Sequence, residues 1–112
     1  MFKVEEQKSI KWPVNINIPK DGGGVKKATF TAEFELIDQD EFSAIYQDGG
    51  NDLDMLRRVL VGWGEDVVDE KGSPLPYGDE TREKLIKKGY VRAGLVEAYM
   101  NCNNGKAAAR KN

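Results

Sequence analysis

The chain has 112 residues, of which 39% are hydrophobic and 32% charged, with a formal net charge of −2 and no histidine. That length suits one domain with a real but modest core, and the balance excludes a disordered chain and a whole-domain basic footprint for nucleic acid. The missing histidine removes the usual neutral-pH general base and the commonest metal ligand; it does not remove carboxylate chemistry.

In chain order, Ile10, Trp12, Val14, Ile16 and Ile18 alternate with Lys11, Pro13, Asn15 and Asn17. Period two is the mark of a half-buried strand. Pro13 lacks a backbone donor, which predicts a sheet edge or a bulge there. Pro19 to Gly24 form a turn cluster, and alternation resumes with Ala28, Phe30, Ala32, Phe34 and Leu36 on one face. Two such runs around a glycine-rich loop predict an antiparallel hairpin, which needs a cover for its apolar face.

The remainder reads as helical. Asp38, with Glu41 three residues on, predicts a capped start, and Phe42, Ile45 and Tyr46 share the following face. Asp48–Gly49–Gly50–Asn51 breaks that helix, and Asp52 is the expected cap of the next. Leu53, Leu56, Leu60 and Trp63, at i, i+3, i+7 and i+10, predict one helical stripe, with Gly62 and Gly64 as terminators. Gly62 to Tyr77, GWGEDVVDEKGSPLPY, then form a connector of a length uncommon in compact domains and often functional.

Beyond it, Asp79 is expected as an N-cap with Glu80 in the first turn. Lys87 and Lys88 fit the far end of that helix, with Gly89 as its stop. Val91, Leu95, Ala98, Tyr99 and Cys102 share one side of a last helix, which Asn103–Asn104–Gly105 ends. The sum is a single α+β domain over residues 1–105, an N-terminal antiparallel hairpin packed against about four helices. Residues 106–112 form a small basic tail, expected to be flexible.

No motif in this chain carries catalysis. Glu65, Asp66, Asp69 and Glu70 fail as a calcium loop: counting from Asp66 puts Val68 at the third ligand position and Tyr77 where the bidentate glutamate belongs. A solvated acidic turn accounts for them better. Asp21 to Lys27 lacks the phosphate-loop spacing and sits between strands rather than before a helix. Cys102, the sole cysteine, excludes an internal disulfide and fits a reducing compartment; its place on the apolar side of a helix predicts a buried, unreactive thiol. The first residues lack the apolar core of a signal peptide, and no run has the length of a membrane span. Trp12 and Trp63 read as core anchors. The alternative for Trp63 is an exposed apolar patch with Leu75, Pro76 and Tyr77, and Leu60 beneath, of the kind that marks a partner site.

The string Gly62–Trp63, Val67, Asp69–Glu70, Gly72 and Pro74–Leu75–Pro76–Tyr77 resembles the W–V–D-E–G–P–L-P-[FY] signature of tail assembly chaperones of long-tailed phages. Leu85, Tyr90–Val91, Gly94–Leu95 and Ala98–Tyr99 match the helices that follow in that family. Pro13–Val14, Phe30, Phe34 and the terminal Lys111–Asn112 are in keeping with it. The resemblance implies a non-enzymatic protein of the host cytoplasm, without cofactor or metal, that binds the tape measure protein and keeps it soluble during tail tube assembly. It also implies self-association, absence from the mature virion, and a minor frameshifted product for which codons of Arg110–Lys111–Asn112 allow a slippery sequence. Neither nucleic acid nor membrane is an expected partner. The rival expectations are a small structural or interaction module retained in the virion, and an enzyme working with carboxylates.

Overall fold

A computed structural model describes residues 1–6 and 8–108. The hairpin forms as its alternation requires. Strand β1 spans Ile10–Pro19 and β2 spans Val25–Phe34, antiparallel, with Ile10 opposite Phe34 and Pro19 opposite Val25. The even-numbered face is the apolar one: Val14, Ile16, Phe30, Ala32 and Phe34 are buried, while Lys11, Asn15 and Asn17 face solvent. Pro13 lies on an edge strand, and the register runs through it without a bulge. The irregularity occurs instead between Glu33 and Phe34, on the other side of β2.

Helix α1, Gln39–Gln47, is capped by Asp38, whose carboxylate accepts from the Glu41 amide at 3.1 Å. No residue of α1 is fully buried; Phe42, Ile45 and Tyr46 only lean on the core. The next cap is Asn51 rather than Asp52. Asn51 and Asp54 form a reciprocal capping box at the start of α2, Asp52–Val59, an arrangement that satisfies two orphan amides at once. Asp52, one place further on, accepts from the Tyr46 hydroxyl at 2.8 Å.

The expected stripe from Leu53 to Trp63 is not one helix. Helix α2 stops at Val59, and Leu60–Trp63 form β3, the third strand of a β1-β2-β3 sheet. Leu60 pairs with Phe34, and Trp63 with Ala32. The buried face of α2 is Met55, Leu56 and Val59, and the β-branched, glycine-bearing run after it suits a pleated ribbon better than a helix. In helix α3, Asp79–Ile86, Gly78 holds the N-cap position without a side-chain cap, so Asp79 is the first helical residue rather than the cap. Gly89 opens α4, Gly89–Asn103, instead of closing α3, and Lys88 is the residue before it.

Among the described residues, four helices and three strands make an α+β fold. Helix α4 lies across β1, turning Val91, Leu95, Ala98, Tyr99 and Cys102 inward. Gly94 permits the contact: a Cβ there would sit 2.5 Å from the Asn15 carbonyl oxygen and 2.6 Å from Ile16 Cδ1. Tyr99 closes the core from the far side, edge-on to Phe34 at 5.4 Å, with its hydroxyl accepting the Ile37 amide. The buried side chains form one apolar cluster. Residues Lys106–Ala108 carry no regular structure, and residues 109–112, including the proposed slippage site, lie outside the described residues.

Candidate functional site

The connector after β3 is an ordered loop. Strand β3 ends at Trp63, but the Gly64 amide still donates to the Thr31 carbonyl at 2.9 Å. Asp66 then replaces the missing strand: its carboxylate accepts both the Thr31 amide, at 3.0 Å, and the Thr31 hydroxyl, at 3.1 Å. Val67 is buried, and its carbonyl takes the Leu75 amide at 2.8 Å. Between them Val68 and Pro74 form an isolated bridge. At the tip, the Asp69 carboxylate accepts from the Lys71 and Ser73 amides. The same tip needs Gly72 at φ +83°, a region L side chains rarely adopt. Two of the four acids therefore hold the loop together, while Glu65 and Glu70 are solvated.

Leu60, Trp63, Leu75 and Tyr77 converge on the inner side of this loop. The Trp63 indole donates to the Leu75 carbonyl at 2.7 Å, and its ring meets Tyr77 edge-on at 4.9 Å. The Tyr77 hydroxyl donates to the Leu60 carbonyl. Leu60 is fully buried; Trp63, Leu75 and Tyr77 are half-buried, and Pro76 is exposed. The site is thus both a structural staple and a surface. The polar tips of both aromatics are spent inside the protein, so an incoming partner meets ring edges, the Leu75 side chain and Pro76. Helix α3 follows at once, anchored where the Thr81 hydroxyl donates to the Pro76 carbonyl at 2.8 Å. Arg57 of α2 reaches across to Glu83 of α3 at 2.8 Å and is itself steadied by Asp54 of its own helix at 3.0 Å.

Beside Trp63, on the solvent face of the sheet, lies an open depression of about 320 Å³ lined by Lys11, Thr31, Glu33, Glu65 and Asp66. Its carboxylates do not converge on one point. Asp66 is committed to Thr31, and Glu33 accepts from Ser9 at 2.6 Å. Among the described residues no group of three metal-ligating side chains occurs. The Cys102 thiol is buried, and burial pushes its pKa up, away from the nucleophilic thiolate. Among the described residues no helix is long and apolar enough to cross a membrane.

The staple could not be read from the sequence. Trp63 and Tyr77 stand fourteen positions apart, and their hydrogen bonds end on backbone carbonyls, which leave no trace in side-chain patterns. The one available signal was Asp69 four residues before Ser73 with Gly72 between, the composition of a tight turn. No family model matches the chain, and no curated protein or solved structure matches it.

Proposed function

We propose that this protein is a non-enzymatic tail assembly chaperone of a long-tailed phage, which binds the tape measure protein and keeps it soluble while the tail tube is built. One observation supports the reading above the others. The residues that carry the family-like signature are those that build a single loop. Trp63 holds Leu75, Val67 plugs the core, Asp69 and Gly72 make the turn, and Tyr77 returns to Leu60. The signature therefore has a structural reason for its residue types: they form the aromatic contact, the turn and the backbone hydrogen bonds of one ordered loop.

The physics of the role is capture of an amphipathic client helix on an apolar ledge. Pro76, the Leu75 side chain and the outer edges of Trp63 and Tyr77 form that ledge, with Leu60 as its floor. The protein works in the host cytoplasm as a homo-oligomer, needs no cofactor, and leaves before the virion matures.

The test is co-expression with the tape measure protein of the same phage. The client is expected in the soluble fraction with the wild-type chain and in the pellet without it. Leu75→Glu changes the ledge while leaving the Leu75 carbonyl on the Trp63 indole, and should cost about 2 kcal/mol or more of binding if the site is a hot spot. A soluble client in the absence of the chain would refute the function. Full binding by Leu75→Glu would refute the site. Detection of the chain in purified tails would favour a retained structural module instead.

A further inference from the structure

Strand β2 is ten residues long, but β3 covers only its last part, from Ala32 to Phe34. Thr31 uses its amide and carbonyl on that side, toward Asp66 and Gly64. Period two then aims the amides and carbonyls of Thr29 and Lys27 the same way, where no strand lies among the described residues. The segment Val25–Phe30 is an open edge, and an open edge is a template for an added strand.

The same molecule displays a segment built to fill it. Residues 1–6 carry no regular structure, and Phe2 and Val4 are 87% and 84% exposed. Phe2 and Val4 alternate with Lys3 and Glu5, a strand pattern. We propose that residues 2–6 of a second copy add to the open edge as an antiparallel strand, with Phe2 opposite Phe30 and Glu6 opposite Lys26. In that register Val4 meets Ala28 on the core side of the sheet, Glu5 meets Lys27 on the outer side, and Lys3 meets Thr29. Both acids face lysines, and apolar residues face apolar residues. A shift of one residue would put Phe2 and Val4 on the solvent face.

The occupant is a second copy because the chain's own arm cannot reach. Glu6 lies four residues before Ile10, a span of at most about 14 Å. Ile10 pairs with Phe34, and Lys26 is eight residues further along β2, about 26 Å away at strand rise. Strand β1 also occupies the opposite side of β2 from the open edge. The inference rests on the self-association proposed above and names its surface; it does not depend on the identity of the client.

The experiment is sedimentation of the full chain over a concentration series, with three variants. Glu5→Lys with Glu6→Lys, and separately Lys26→Glu with Lys27→Glu, should each weaken association at least about tenfold by facing like charges. They move net charge in opposite directions, so a common loss is not a net-charge effect. All four substitutions together should restore association. A Val4→Cys chain mixed with an Ala28→Cys chain under a mild oxidant should give a covalent dimer, and Lys3→Cys with Ala28→Cys should give far less. A wild-type monomer at every concentration would overturn self-association and this inference with it. Association that survives both reversals, or cross-linking indifferent to register, would overturn the arm alone and leave self-association standing.

Discussion

Three side chains carry weight out of proportion to their size. Phe34 is fully buried and stacks edge-on to Tyr99, so Phe34→Ala removes burial and leaves a void. The expected cost is about 3–5 kcal/mol, much of the stability of a domain this small. Urea denaturation should show it, and an unshifted midpoint would refute the packing. Tyr77→Phe keeps the ring against Trp63 but leaves the Leu60 carbonyl without its donor. A loss of about 1 kcal/mol is expected, visible as a lower melting temperature with unchanged far-ultraviolet dichroism. Cys102 is buried with a raised pKa, so a maleimide should label it slowly in the native protein and rapidly in denaturant. Rapid native labelling would mean that α4 does not seal that corner.

At the scale of elements, the contact between α4 and β1 depends on a missing methyl. Alanine at position 94 would gain about 1 kcal/mol of helix propensity. The added Cβ would meet a backbone oxygen at 2.5 Å, and overpacking of this kind costs about 1–3 kcal/mol. Backbone cannot swing aside as a side chain can, so Gly94→Ala is expected to destabilise in chemical denaturation; a stabilised variant would show that α4 stands further from the sheet. The hairpin and α4 were legible because each repeats its period over ten residues or more. Strand β3 was not, because Leu60 and Trp63 fall on the helical phase of Leu53 and Leu56. Four residues are too few to establish period two against that phase, and what decides the matter is the free edge of Ala32–Phe34, whose partners lie far apart in the sequence. The reversed role of Gly89 has a similar cause: one glycine between two helices reads equally well as the end of the first or the start of the second.

At the scale of the whole molecule, two ion-pair clusters among the described residues tie helices to sheet and to each other. Arg58 of α2 bridges Glu35, just past β2, and Glu41 of α1; Arg57 bridges to Glu83 of α3. The hydrogen bond and charge of Arg58 hold Glu35 below the ordinary glutamate value of 4.5, and the hydrogen bond from Arg57 does the same for Glu83. A carboxylate with a depressed folded-state pKa takes up its proton later than the unfolded chain does. Its contribution is therefore complete above 4.5 and fades as pH falls through and below that value. Arg57→Gln and Arg58→Gln should lower the melting temperature at about pH 7, and the gap to wild type should narrow as pH falls below the ordinary glutamate value; a gap that does not narrow in acid would mean that the arginines act through packing. The candidate site was half legible at this scale: its residues were named, but their shared loop was not, since an Asx turn and two side-chain-to-carbonyl bonds hold it. The placement of α4 across β1 also bears on the order of synthesis. The first strand leaves the ribosome with Val14 and Ile16 bare, and the surface that covers them is encoded some eighty codons later. Until Leu95 and Tyr99 have been translated, the nascent chain is itself an aggregation-prone polypeptide, needing for that interval the same protection it is proposed to give its client.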